Sequence, residues 1–402
     1  MLLASAALLM ANFVFAQTWT HNGAPFGIWT AIASSADGSK LVAYNFESGI
    51  SGIYTSTNSG TTWTSNSTGV DNEQWLPSIA SSADGTKLAA VDSPGLIYTS
   101  TNAGATWVSN SPPMEYWTSI ASSADGTKLV AVASSNLIYT STDSGVNWAS
   151  NTAVMDIQPW HFVASSADGS KLAIAAYEGM IYISTNAGTT WTSVVSVPNT
   201  NWEAITSSAD GTKLAAIARS GLVYTSPDSG ATWMSNNLPV GQWTSLASSA
   251  DGSKLVAAAC TRNTNSDEID SDGSIYISTN SGANWTLSAP GNCWGFVASS
   301  ADGSKLVALL GSGVIDGSVT VPFGGIYASQ STPTAQLTLV PSGSNLNVSW
   351  IIPSTNFVLQ QSSDLASWTD VTNPPVLNLT NLQNEVVLSP TGSSGFYRLK
   401  TP

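Results

Sequence analysis

Short apolar runs and polar turn sequences alternate with a long period along most of this chain. The string SSADG-[ST]-KL occurs seven times, and each copy leads into a brief apolar stretch such as Leu129-Val130-Ala131-Val132-Ala133. A turn follows, then a strand-like I-Y segment such as Ile97-Tyr98-Thr99-Ser100. The repeated aspartates are Asp37, Asp84, Asp125, Asp168, Asp210, Asp251 and Asp302, spaced 41 to 51 residues apart. A tryptophan stands just before each copy: Trp29, Trp75, Trp117, Trp160, Trp202, Trp243 and Trp294. Six copies close with S-[TP]-[ND]-x-G-x-x-W, ending at Trp63, Trp107, Trp148, Trp191, Trp233 and Trp285.

Each unit predicts four short strands, lettered A to D. Strand A begins at the first tryptophan, B holds the K-L run, C the I-Y segment, and D starts near the second tryptophan. Glycine in the DG and NxG turns accepts the positive φ of tight hairpins. One such unit cannot cover both faces of its sheet, and four strands per roughly 40–45 residues is the period of a β-propeller. The expected fold is all-β, a seven-bladed β-propeller. The seventh unit lacks its closing box and stops near Gly325-Ile326-Tyr327, while Thr18-Trp19-Thr20 repeats Thr62-Trp63-Thr64 of the first unit. An N-terminal strand is therefore predicted to complete blade seven and leave no open edge between first and last blades.

These repeats resemble the Asp-box (bacterial neuraminidase repeat) propellers over about residues 17–330. That superfamily includes sialidases, xyloglucanases, sortilin-type receptors and photosystem-assembly propellers, so the resemblance implies the repeat and says little about activity. In the boxes Asn58, Asn102, Asn186 and Asn280 alternate with Asp143 and Asp228. Asn and Asp share an acceptor oxygen and differ in charge, so a position that takes both is a hydrogen-bonding one. A true sialidase needs three arginines to clamp a carboxylate, and the ring holds only Arg219 and Arg262. The photosystem-assembly type is disfavoured by the lack of a comparable basic patch.

Outside the ring the composition changes twice. Residues 1–16, MLLASAALLMANFVFA, are apolar, uncharged and too short to span a bilayer, and they end in the small-residue pattern Val14-x-Ala16. They read as a secretory signal, which places the mature protein outside the cytoplasm, extracellular or periplasmic. The stretch 331–335 reads as a linker. Residues 336–402 carry alternating strand-like runs and predict a small β-sandwich of the Ig or fibronectin-III kind. Their pattern VLQQSSDLASW…GFYRL resembles C-terminal modules of secreted Verrucomicrobia-type proteins, which implies display or sorting.

Charge narrows the partners. Charged residues make up 9% of the chain, yet the net charge is −14. Lysine and arginine are too scarce for a nucleic-acid groove, and no further stretch reaches transmembrane length. Strand order puts the A–B and C–D turns on one rim, the turn rim, and the B–C and D–A connections on the other, the loop rim. Sorted this way, the loop rim carries thirteen acids against Arg219 and Arg262, while the repeated turns nearly balance. Binding usually resides in variable loops on a rigid scaffold, and an acidic rim disfavours anionic ligands. Neutral glycans and extracellular proteins remain as partners, for a protein expected to be a monomer.

Candidate chemistry falls on the same rim. His161 and Glu203 follow the strand-A tryptophans of neighbouring blades, and together with Trp160, Trp202, Trp243 and Trp294 they form the candidate ligand site. Glu203, His161 and Glu178 are the candidate catalytic residues, because a glycoside hydrolase needs two carboxylates roughly 5–9.5 Å apart. Asp267, Asp270 and Asp272 lie in a long acidic loop and offer oxygen ligands for calcium, without a full EF-hand pattern. Cys260 and Cys293 are placed on adjacent blades and are expected to pair, the alternative being two buried thiols. The leading reading is a secreted, non-catalytic binding protein. A hydrolase or lyase acting on a neutral polysaccharide, and a structural scaffold for protein contacts, stand as alternatives.

Overall fold

The computed structural model describes residues 18–47, 51–66, 76–151, 159–219, 221–237, 242–260, 273–310, 324–331, 337–342, 345–351, 357–363, 367–379, 382–388 and 396–400. Every regular element among them is a strand. Seven antiparallel four-stranded sheets follow one another around an axis, each inner strand touching the next and Trp294–Ser299 returning to Trp29–Ser34. Blade 1 runs Trp29–Ser34, Leu41–Asn45, Gly52–Ser56 and Thr64–Asn66 from the axis outward. Blade 7 takes Trp294–Ser299, Lys305–Leu310 and Ile326–Gln330 from one end of the ring and Thr20–His21 from the other. Thr20 pairs with Ala328 and His21 with Tyr327. Trp19 leans on Trp294 at 5.8 Å, much as Trp63 leans on Trp29 at 6.2 Å, so the N-terminal strand stands in for the missing strand D.

The alanines of the seven SSADG turns join the blades at the axis. Ala36 donates its amide to the Ala83 carbonyl, Ala83 to Ala124, and so on through Ala167, Ala209, Ala250 and Ala301, which donates back to Ala36. All seven bonds are 2.7–2.8 Å long. The turns themselves are held by their own side chains. In blade 1, Ser35 Oγ donates to Asp37 Oδ1 at 2.6 Å and accepts the Lys40 amide at 3.0 Å, while Asp37 also accepts the Ser39 amide. Burial alone would raise the Asp37 carboxyl, but these donors outweigh it and hold the pKa below the usual aspartate value. The repeated lysine then reaches the following blade: Lys40 Nζ donates to the Asp84 carbonyl at 2.7 Å, and Lys305 Nζ to that of Asp37 at 3.0 Å.

The S-x-[ND]-x-G-x-x-W turns lie on the same rim. Each is tied to the A–B turn of its own blade by an amide bond, such as Ser59 to the Ser39 carbonyl at 2.8 Å. Asn58 Oδ1 accepts the Thr62 amide at 2.9 Å, and Asp143 Oδ1 accepts the Asn147 amide at the same distance. Amide and carboxylate therefore do one job, and this turn is a hydrogen-bonding device.

The core lies between blades. Trp202 is fully buried and packs with Ala164, Ala175 and Ile181 of blade 4 and with Ile205 and Tyr224 of its own blade. Its ring meets Tyr224 edge-on at 5.4 Å, and the same Trp–Tyr pair recurs in the other blades whose inner tryptophan is described. In blade 2 the residue eight positions before Asp84 is Leu76, and it too is fully buried.

Beyond the ring, one sheet orders Thr338–Ser342, Asn345–Ile351, Gln383–Leu388 and Val376–Asn378, and a second orders Thr369–Asp370, Val358–Ser362 and Phe396–Lys400. Val348, Trp350, Val386 and Leu388 of the first face Leu359 of the second in one core, which makes a small sandwich.

The turn geometry yields a stability prediction. Gly126 has φ +66°, and a Cβ there would lie 2.7–2.8 Å from the Lys87 side chain of the preceding blade. Gly291 has φ +79° with nothing within 4 Å. Gly291→Ala should cost about 1 kcal/mol, the strain of the left-handed backbone alone, and Gly126→Ala about 2–3 kcal/mol because the lysine stem must also move. Urea denaturation of the two variants measures the difference.

Candidate functional site

In every blade but the second, strand A opens with a β-bulge just after its buried tryptophan. Between Trp160 and Phe162 the register shifts around His161, and between Trp202 and Ala204 it shifts around Glu203. A bulge frees one residue from the ladder and re-aims its side chain. In blades 1, 3 and 6 that residue is threonine, and its hydroxyl ties the blade to the next one. Thr30 Oγ1 donates to the Leu76 carbonyl at 3.0 Å, Thr118 Oγ1 to that of Trp160 at 2.8 Å, and Thr244 Oγ1 to that of Trp294 at 2.7 Å. Blades 4 and 5 replace this inter-blade bond with His161 and Glu203.

The two side chains belong to one chain of contacts. The His161 ring lies against Tyr177 at 4.9 Å. Tyr177 Oη accepts from Arg219 Nη1 at 2.8 Å, and Arg219 Nε pairs with Glu203 Oε1 at 3.5 Å. Tyr177 and Arg219 occupy the same position in neighbouring blades, directly after strands Leu172–Ala176 and Leu214–Ala218. Burial pushes the Glu203 carboxyl up to about 7, against the pull of the Arg219 guanidinium. Burial also lowers the His161 pKa, keeping its imidazole neutral at physiological pH. The assembly offers a neutral ring nitrogen, a phenol, and a carboxylate whose proton is in balance near neutrality, all half-buried at the loop-rim end of two inner strands. Such groups can exchange hydrogen bonds with a polar ligand, or move a proton.

The other candidates fare differently. Trp160 and Trp202 are fully buried, and Trp243 and Trp294 are 2% exposed. Their rings are wedged between blades and have no face to offer a sugar, so their assignment to a ligand-stacking site is corrected to a packing role. Among the described residues, the large exposed aromatic side chains on this rim are Tyr116 at 60% and Phe26 at 59%, the latter stacked on His21 at 4.7 Å. Glu178 is exposed in the turn after Tyr177 and takes no part in the contacts above. Cys260 and Cys293 form a disulfide between blades 6 and 7. The candidate calcium ligands Asp267, Asp270 and Asp272 lie outside the described residues, as does the segment 1–16. Among the described residues no group of three or more His, Cys, Asp or Glu could hold a metal ion, and no helix is long and apolar enough to cross a membrane.

Sequence reasoning missed Tyr177, Arg219 and Asp92. The first two had a signal, an aromatic and a cation at one repeat offset in consecutive blades. Asp92 directly follows strand B of blade 2, is 1% exposed, and receives no hydrogen bond from any side chain. Burial pushes its pKa up to about 6, with the Ser93 amide acting the other way.

With this geometry in hand, the class of the molecule is plain: a closed seven-bladed β-propeller followed by a small β-sandwich. A family model described as Sortilin-Vps10 (sortilin, neurotensin receptor 3) matches residues 179–305, from the B–C turn of blade 4 to the start of strand B in blade 7. Among solved structures, YCF48 bound to D1 peptide is similar with a TM-score of 0.57 and 14% identity, over 79% of this chain and 97% of that one. YCF48 from Cyanidioschyzon merolae gives 0.55 and 14%, over 78% and 98%. The GH74 xyloglucanase from Xanthomonas campestris gives 0.59 and 15%, over 83% of this chain and 59% of the enzyme. At such identities the likeness is one of fold. No curated protein matches the sequence.

Two titrations follow. Arg219→Met should move the Glu203 pKa further above 7, because only burial then acts on it, and carbon-detected NMR of the glutamate carboxyls reads the change. For Asp92 the folded pKa exceeds the unfolded value of 3.8, so the stability linked to its proton is present below 3.8 and lost as pH rises through about 6. Asp92→Asn should therefore gain up to about 2 kcal/mol over wild type at pH 8 and little at pH 4, measured by chemical denaturation at both pH values.

Proposed function

We propose that this protein is a secreted, non-catalytic binding protein of the Asp-box propeller type, acting as a monomer, whose loop rim recognises a neutral glycan or an extracellular protein. His161, Tyr177, Glu203 and Arg219 form the polar centre of that face, and Tyr116 supplies an exposed ring. The observation that carries this reading is the exchange in blades 4 and 5. Two inter-blade threonine bonds are given up there for ionisable side chains that gather into one network. The opposite rim consumes its polar groups in its own turns and leaves few to offer a ligand. Rigid frames with variable loops are common binding devices.

Three further points support the reading. The Cys260–Cys293 disulfide fits an oxidising compartment, consistent with residues 1–16 acting as a secretory signal before a ring of about 17–330, a linker and a module of 336–402. The excess of acids on the loop rim favours neutral or basic partners over anionic ones. A similar propeller, YCF48, is known with a bound peptide. A second reading, hydrolysis of a neutral polysaccharide, rests on the Glu203 pKa of about 7, which suits a general acid.

The two separate in one experiment. Neutral polysaccharides and basic peptides are titrated against wild type, Glu203→Gln and Tyr177→Phe, with product release followed in parallel. Binding should weaken about tenfold in each variant, a loss of one or two charge-assisted hydrogen bonds, with no product from any of them. Turnover by wild type that Glu203→Gln abolishes while binding persists would establish the hydrolase instead. Binding that neither substitution alters removes this cluster from the site.

A further inference from the structure

The seven alanines that close the ring by their amides also form a collar of methyl groups around the axis. Ala36, Ala124, Ala167, Ala209, Ala250 and Ala301 are buried against one another, with Ala83 completing the circle. Their amides and carbonyls are spent on the cyclic bonds. The first serine of each SSADG copy lines the same cavity, of about 170 Å³, and donates its hydroxyl to the carbonyl of the residue after it, as Ser34 does to Ser35 at 2.9 Å. The mouth of the axial channel on this rim is therefore ringed by polar atoms that are already satisfied, with methyls between them. An apolar side chain can enter without leaving a buried group unpaired.

One side chain does so. Leu382 packs against the alanine collar and lines the same cavity. It belongs to the turn that joins Val376–Asn378 to Gln383–Leu388 in the C-terminal sandwich, at the tip of a hairpin on the edge of its sheet. Its φ is +54°, a left-handed backbone that residues other than glycine adopt uncommonly. A turn free in solution would place glycine or asparagine at such a position.

We propose that the C-terminal sandwich is a stopper for the propeller. Leu382 seats in the alanine collar, closes the axial channel on the turn rim, and holds the module on the axis of the ring. The channel then has one open mouth, on the loop rim, and whatever occupies it enters and leaves by that side. The module's role in this reading is closure of the axial channel.

The test uses the full-length protein. Leu382→Asp puts a carboxylate into the methyl collar, and Ala209→Leu fills the collar from the ring side without touching the module. Both should raise the radius of gyration in small-angle X-ray scattering and speed proteolytic release of the module by about tenfold or more, and in Leu382→Asp the ring's thermal transition should be unchanged. Leu382→Met should behave as wild type. Scattering from Leu382→Asp that matches wild type overturns the proposal, as does a wild-type protein whose module is already detached. A radius that grows with protein concentration in wild type and not in Leu382→Asp assigns the leucine to a neighbouring molecule and overturns it too. If Ala209→Leu does not fold, the aspartate variant decides alone.

Discussion

A cycle of hydrogen bonds cannot be lengthened or shortened by one member without breaking everywhere at once. The seven alanine amides impose that constraint on this protein. Each turn donates to one neighbour and accepts from the other, and the last returns to the first in a ring whose seventh blade is completed by a strand from the opposite end of the chain. The repeated lysines reinforce the cycle by reaching across to the next blade, and the repeated glycines make room for them. Blade number, sheet angle and channel width follow from this arrangement more than from any single apolar contact. The interblade tryptophans supply bulk and shape, with roughly 2–3 kcal/mol available from burying each large side chain.

That closure divides the molecule into two unlike faces. One face repeats seven times and spends its serines, aspartates and amides internally. The other inherits the connections that the repeat does not dictate. In three blades a threonine at the bulge mends the ladder by bonding to the neighbouring blade. Where histidine and glutamate replace it, the interface loses a bond and the rim acquires groups that titrate. Exchange of stability for polarity, confined to two adjacent blades, marks a functional region more clearly than a single acidic residue does, because scattered surface charge also serves solubility.

Much of the architecture was legible in the repeats. The strand order, the two rims and the completion of blade seven by the segment around Trp19 could be read from spacing and from one echoed tripeptide. The pairing of Cys260 with Cys293 followed from the same placement. Less could be read at the site. The tryptophans are large, aromatic and regularly spaced, and sequence alone does not say whether such a ring faces a channel or a neighbouring sheet. Their complete burial is a property of how blades lean on each other. Tyr177 and Arg219 were visible as departures from the repeat, but their junction with His161 and Glu203 depends on the offset between two sheets. Leu382 carried no local signal, since its partners are alanines drawn from the whole length of the ring.

The joint at Thr20–His21 bears on how the molecule comes into being. Thr20 and His21 pair with Ala328 and Tyr327, so during synthesis this strand stays without its neighbours until nearly the entire ring has emerged. Six blades must stack while the arc is open at both ends, each end showing an unpaired sheet face and edge to the surroundings. The long separation between the joined segments makes ring closure the slowest pairing that the sequence demands.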